Sequence, residues 1–248
     1  MSFSQLASSL TRDDWTTPSG PGAQVSCINA ASFNAAVAPG SIAAVFGTNL
    51  TTTSGQASLQ PLPTVLMGAR VSISGVAAQL LYVSPTQINL VIPDGLPSGR
   101  APVVITGSDG RVTAGSITVQ PVAPGVFSTN ANGSGIAAAL TTYDGVYYQP
   151  AINPDATPRP LSVGTAEQPD YLVLFATGVR GRGRMQDVVV LINGIYCQPT
   201  YAGPQPAYAG LDQINLPLPQ ALRNAGEVEV QVIINGVSGN RTRLVFGS

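Results

Sequence analysis

Apolar positions along this chain come in short runs or in strict alternation, and beyond the first dozen residues they do not follow helical spacing. Ser41-Ile42-Ala43-Ala44-Val45-Phe46 reads as a buried strand. Val71 and Ile73 alternate with Ser72 and Ser74, and Leu80–Val83, Ile88–Ile92, Val103–Thr106 and Ser116–Val119 continue the series. Ser108-Asp109-Gly110 makes a hairpin turn between the last two. Further on, Ile136–Leu140, Tyr171–Phe175 and Val188–Ile192 read as strands, with Tyr143-Asp144-Gly145-Val146 as a hairpin and Asn193-Gly194 as a turn. Val228, Val230, Val232 and Ile234 alternate with Glu227, Glu229 and Gln231, which predicts a half-buried strand with one wet face. Asn235-Gly236 then returns the chain to Leu244-Val245-Phe246. Short strands with turn signals roughly every 8–12 residues predict an all-β chain of sandwich type.

One long pattern occurs twice. Gly75-Val76-Ala77-Ala78-Gln79-Leu80-Leu81-Tyr82-Val83-Ser84-Pro85 is followed by Gln87-Ile88-Asn89-Leu90. Gly194-Ile195-Tyr196-Cys197-Gln198-Pro199-Thr200-Tyr201-Ala202-Gly203-Pro204 is followed by Gln213-Ile214-Asn215-Leu216. The offset between copies is 119 up to the proline and 126 in the Gln-Ile-Asn-Leu block, so the second copy carries a seven-residue insertion around Gln205–Leu211. Self-similarity on this scale means two copies of one domain. The expected organisation is an arm over residues 1–24, one immunoglobulin-like β-sandwich over 25–120 and a second over 121–248. Val119–Gly125, with two prolines, reads as an extended linker.

Composition narrows the chemistry by what is missing. The chain has no His, and all of its 11 basic residues are Arg. Ser-His-Asp, Cys-His and Ser-Lys nucleophile pairs, Schiff bases and His-based zinc sites are therefore excluded. A hydrolase using two carboxylates survives, because 12 Asp and Glu remain. They form a poor constellation: adjacent Asp13 and Asp14 would point apart on a strand, and Glu227 and Glu229 are expected on a regular wet face. Nothing resembles a calcium loop, so no catalytic residue, cofactor or metal is assigned. A net charge of −1 gives no electrostatic reason for nucleic-acid binding, and no apolar run is long enough to span a bilayer.

Asn29-Ala30-Ala31-Ser32-Phe33, Val37-Ala38-Pro39-Gly40-Ser41-Ile42, Phe46-Gly47-Thr48-Asn49-Leu50 and Pro61-Leu62-Pro63-Thr64 form ordered blocks. Leu81–Asn89, Ala123-Pro124-Gly125-Val126-Phe127 and Tyr201-Ala202-Gly203-Pro204 add to them. Together they resemble the uncharacterised C-terminal domain family of secreted acidobacterial (Solibacter-type) proteins, over about residues 25–246. The resemblance implies tandem immunoglobulin-like sandwiches in an extracellular setting, with no established activity and no catalytic residues to carry over. It differs in filling almost the whole chain and in passing from Gly178-Val179 to Val188 through a short Arg-Gly stretch, where the family often has a long Pro-rich loop. Those departures favour a free-standing subunit. The expected location is extracellular or the cell surface. Met1–Leu10 lacks the basic region and apolar core of a secretory signal.

Several residues are candidates for partner contact. Phe3, Leu6, Leu10 and Trp15 are the apolar anchors of an otherwise polar arm, expected to dock on a neighbouring subunit by strand addition. Arg180, Arg182 and Arg184 crowd three positive charges into five residues, fit to grip an anionic polysaccharide or an acidic patch, or to keep a flexible loop soluble. Cys27 and Cys197 lie in different copies; an oxidising compartment favours a bridge, whereas burial as small apolar groups accounts for each alone. The Gln87/Asn89 and Gln213/Asn215 amides read as groups satisfying the backbone of the adjacent Tyr-x-x-Pro loop, or as ligands for a sugar. Tyr143, Tyr147, Tyr148, Tyr196, Tyr201 and Tyr208 suit a carbohydrate platform or a core equally. The sequence thus predicts a non-catalytic, self-associating structural subunit, with an adhesin or polysaccharide-binding module as the alternative.

Overall fold

In the computed structural model, which describes residues 25–58 and 60–247, about half of the chain is strand, and the only helical elements among the described residues are two 3-10 turns, Met185–Asp187 and Gln220–Leu222. The arm and its four anchors lie outside the described residues. Four sheets pair off as two sandwiches. In the N-terminal one, the first sheet runs β1 (Val25–Asn29), β3 (Ile42–Gly47), β8 (Gln87–Val91), β7 (Gln79–Val83), β4 (Gly55–Gln56). Its partner runs β2 (Ala36–Val37), β10 (Val112–Val119), β9 (Gly99–Thr106), β5 (Arg70–Ile73), β6 (Val76–Ala77).

The C-terminal sandwich repeats this plan. One sheet runs β13 (Gln149–Pro150), β12 (Ala139–Thr142), β15 (Tyr171–Thr177), β19 (Asp212–Pro217), β18 (Tyr201–Pro204), with β11 (Gly125–Val126) also on β15. The other runs β14 (Pro160–Leu161), β21 (Val237–Phe246), β20 (Gly226–Ile234), β16 (Val188–Ile192), β17 (Ile195–Cys197). Register follows the sequence repeat. Phe46 pairs with Gln87 and Phe175 with Gln213; Ala44 pairs with Asn89 and Val173 with Asn215.

The period of two in each strand decides which side chains go inward. Ala43, Val45, Ile88 and Leu90 enter the first core, and Leu172, Leu174, Ile214 and Leu216 enter the second. The alternation in β20 behaves as predicted: Val228, Val230, Val232 and Ile234 are buried, while Glu227 and Glu229 face water opposite Arg243 and Arg241. The Asn193-Gly194 and Asn235-Gly236 turns both have positive φ at each residue, as a two-residue hairpin of primed type requires.

A third apolar cluster joins the sandwiches. Ile28, Ala30, Ala31, Ile42, Ala44 and Phe46 meet Phe127, Ala138 and Leu211, with Phe33, Leu81, Phe175 and Tyr208 packed around them. The segment read as an extended linker is part of this seam. Val122 and Ala123 are buried, and the Ala123 N–H donates to Gly178 O at 3.0 Å. Gly178 has φ +74°, and a Cβ there would stand 2.1 Å from Ala123 O. A linker pressed this closely onto β15's exit turn does not act as a tether.

Candidate functional site

The site is best approached through the face that each Gln-Ile-Asn strand turns away from its own core. In the first copy a row of residues crosses that face: Tyr82, Asn89, Ala44 and Ile28 on β7, β8, β3 and β1. The second copy has the equivalent row Tyr201, Asn215, Val173 and Leu140 on β18, β19, β15 and β12. Within each copy the glutamine amide donates to the asparagine two residues on, Gln87 Nε2 to Asn89 Oδ1 at 2.8 Å and Gln213 Nε2 to Asn215 Oδ1 at 2.9 Å. The amides therefore pair along their strand. The Ser84 turn beside them is closed by the backbone of Gln87, whose N–H donates to Ser84 Oγ at 3.0 Å.

Burial separates the copies. Gln87 and Asn89 are 2% and 1% exposed on the face where the third cluster forms, and Tyr82, 9% exposed, also has β4 paired beside it. Tyr201 is 37% exposed, Tyr171 38%, and Gln213 and Asn215 are half-buried. The insertion seen in sequence is part of the covering: a Cβ on Gly210 would stand 2.6 Å from Ile42 Cγ1 and 3.0 Å from Val91 Cγ2, so the loop lies directly on β3 and β8. Beyond β12, the 143–148 hairpin adds Tyr143, Tyr147 and Tyr148 to the exposed aromatics. Asp144 builds that turn by accepting the Val146 and Tyr147 N–H groups at 2.8 and 2.9 Å, and these bonds hold its carboxyl below the usual range, the Tyr147 bond foremost.

Four polar residues lie along the seam, Asn29, Thr177 and Asp212 buried and Asn240 half-buried, and sequence reasoning passed over all of them. Thr177 Oγ1 accepts the Ile42 N–H at 2.8 Å and donates to Gly210 O at 2.8 Å. Asn29 donates to Ala123 O at 2.8 Å and accepts from Ala31 N and Ser32 N. Asn240 accepts the Val126 N–H and donates to Val126 O and Gly133 O. Asp212 takes the Val179 N–H at 2.8 Å and the Arg180 guanidinium at 2.9 Å. Burial pushes its carboxyl upward against the pull of Arg180.

The arginine cluster is no flexible fork. Besides Asp212, Arg180 reaches Leu211 O at 3.0 Å and lies against Gly40 of the first sandwich. Arg182 Nε donates to Ala202 O on β18. Arg184 pairs with Asp187 at 3.1 Å across the 3-10 turn and is the most exposed of the three. Gly181 fits closely rather than loosely, since a Cβ there would overlap Pro121 O at 1.9 Å. The three guanidiniums face three different acceptors of their own chain and do not converge on one ligand.

A Cys27–Cys197 bridge does not form. Both thiols are free and buried, Cys27 in the first core and Cys197 in the second. Desolvation pushes Cys27 up to about 12 and Cys197 to about 11. Small apolar packing accounts for each, as it does for Ala78 at the position equivalent to Cys197.

Two surface cavities stand apart from the face. One, of about 310 Å³, lies along the seam by Ser32, Gln120, Pro124 and Ser238; the other, of about 380 Å³, lies by Pro169, Tyr196, Pro217 and Pro219. Neither is lined by a carboxylate or a guanidinium. Among the described residues no group of three or more Asp, Glu, Cys or His could hold a metal, and no helix is long and apolar enough to cross a membrane.

No family model matches the chain, and no curated protein matches it. Similar solved structures include the SGBP-B protein of a Bacteroides ovatus mixed-linkage glucan utilization locus, in complex with a mixed-linkage heptasaccharide. It has 14% identity and a TM-score of 0.32, with 86% of this chain and 43% of that one covered. Domains 5-6 of the S-layer protein SbsC align with 14% identity over 94% of this chain and 99% of theirs, TM-score 0.29. A titin tandem of Ig domains aligns with 12% identity over 86% of this chain and 91% of its own, TM-score 0.26. The chain spans less than half the length of the glucan-locus protein.

Proposed function

We propose that this chain is a non-catalytic structural subunit of an extracellular or cell-surface assembly built from copies of itself. The observation that carries the reading is the seam. An apolar cluster and three polar contacts, Asn29 to Ala123 O, Thr177 to the Ile42 N–H and Asn240 to Ala31 O, fix one sandwich on the other. Two immunoglobulin-like units joined only by a linker would move independently. Two units sharing a core hold one orientation, which suits an element that must place neighbours in a regular array. Size-exclusion chromatography with light scattering, followed by electron microscopy, tests the reading: regular oligomers or fibres are expected, and a monomer at every concentration overturns it.

A second reading has its own observation. Tyr201 stands opposite Asn215, whose side chain accepts from Gln213, and Tyr171 lies further along the sheet opposite Pro217, an arrangement of aromatic surface and hydrogen-bonding groups that suits a sugar chain. Affinity electrophoresis on cell-surface polysaccharides tests it; retardation lost in a Tyr171→Ala, Tyr201→Ala variant would establish it.

A further inference from the structure

We infer that the open face of the β19 sheet is the socket for a second copy of this chain, filled by the segment over residues 1–24 that precedes β1. The inference rests on the structural-subunit reading and names its contact. The chain itself shows how this kind of face is covered. In the first copy the Tyr82–Asn89–Ala44–Ile28 row is buried beneath an apolar cluster to which the second sandwich gives Phe127 and Ala138, both from the segment leading into β12, and Leu211 from the insertion. In the second copy the equivalent row runs through Tyr201, Asn215, Val173 and Leu140; Val173 is buried, but Tyr201 and, further along β15, Tyr171 remain more than a third exposed.

Residues 1–24 precede β1 and lie outside the described residues. Their chemistry matches the open face. Phe3, Leu6, Leu10 and Trp15 suit the exposed rings of Tyr171 and Tyr201, which flank the already buried Val173, and Asp13-Asp14, adjacent to Trp15, complement Arg182, whose guanidinium lies 3.9 Å from the Cβ position of Gly203 on the same face. Strand addition to the β18 edge fits less well, because Arg182 already occupies Ala202 O and Pro204 ends the strand. The contact is therefore face-on, side chains into the Tyr-Asn row. Each copy carries one socket and one plug, so the contact is head-to-tail, and it builds an open fibre or a closed ring, of which reciprocal exchange between two copies is the smallest.

The test uses two full-length variants. Tyr171→Arg with Tyr201→Arg spoils the socket; Phe3→Asp, Leu6→Asp, Leu10→Asp and Trp15→Asp together spoil the plug. Exposed Val112→Arg on β10 serves as a control. Sedimentation velocity from about 1 to about 100 μM covers the range of ordinary interfaces. The wild type and the control should assemble, each variant alone should weaken association at least tenfold, and an equimolar mixture of the two should form 1:1 heterodimers and nothing larger. A milder Tyr171→Ser, Tyr201→Ser pair repeats the socket test with less change to the surface. Assemblies as large for the socket variant as for the wild type would overturn this contact while leaving the subunit reading intact. A wild type that stays monomeric throughout would overturn both. Saccharide binding lost on changing Tyr171 and Tyr201, with assembly unaffected, would assign the face to a glycan instead.

Discussion

The turn after β3 and the turn after β15 have the same origin and opposite surroundings. Thr48-Asn49-Leu50 and Thr177-Gly178-Val179 occupy equivalent places, and Leu50 and Val179 both enter a core. Thr48 and Asn49 are exposed, and Asn49 adopts a positive φ of 55° that its short side chain tolerates. Thr177 is fully buried and bridges the sandwiches, and Gly178, at nearly the same φ, has Ala123 where a side chain would go. Duplication left the fold of the unit alone. What distinguishes the copies lies on surfaces that one must bury and the other need not.

Substitutions that act on only one member of each pair test this asymmetry. The largest effect is expected at Gly178. Gly178→Ala meets both an unfavourable φ and backbone 2.1 Å away, and should cost more than about 3 kcal/mol. Asn49→Ala should cost about 1 kcal/mol, from conformation alone. Denaturant melts of the two variants check this, and equal losses would mean that the linker is not packed on that turn.

Next comes the threonine. Thr177→Val keeps the shape but strands the buried Ile42 N–H, for about 2 kcal/mol, whereas Thr48→Val should stay within about 0.5 kcal/mol. Small-angle scattering on Thr177→Val should also show a broader distribution of interdomain distances. A variant as stable as the wild type would remove the latch from the account.

The repeat was readable because hydrophobic alternation and register are properties of a single strand and its neighbour. The insertion was readable as a break in that repeat, though nothing in Gln205–Leu211 said what it would cover. The locations of β12 and the linker were read less well. Ile136–Leu140 was expected as a strand, yet regular pairing begins at Ala139, because Ile136 and Ala137 make isolated bridges to Arg243 and Ser128 instead. Asn29, Thr177 and Asn240 act on groups far away in sequence, and no local pattern marks such a residue. The usable signal was a difference between copies: Gly178 opposite Asn49, and Asp212 opposite Thr86. The acceptors of the arginine cluster could not be read, because composition reports charge but not the groups that the fold brings to it.

A smaller effect asks whether the two cores, unlike the two faces, are equivalent. Native Cys27 and Cys197 keep their protons up to about 12 and about 11, while unfolded thiols ionise near about 8.5. Because both native values are raised, their contribution to stability is complete below about 8.5 and is lost as pH climbs toward the native values. Between pH 7 and pH 9 the pair should cost about 1.5 kcal/mol, and Cys27→Ala with Cys197→Ala should flatten that slope. An unchanged slope, or fast alkylation of either thiol in the native protein, would show that its core admits solvent.

The most direct measurement is hydroxyl-radical footprinting of the tyrosines in dilute, monomeric protein, read by mass spectrometry. Tyr82 and Tyr201 are equivalent residues, facing Asn89 and Asn215 in the same row, but Tyr82 also has β4 beside it while Tyr201 lies on the edge strand of its sheet. Tyr201 and Tyr171 should be oxidised readily and Tyr82 protected. Comparable oxidation of Tyr82 and Tyr201 would contradict the claim that one copy closes its face within the chain while the other leaves it open.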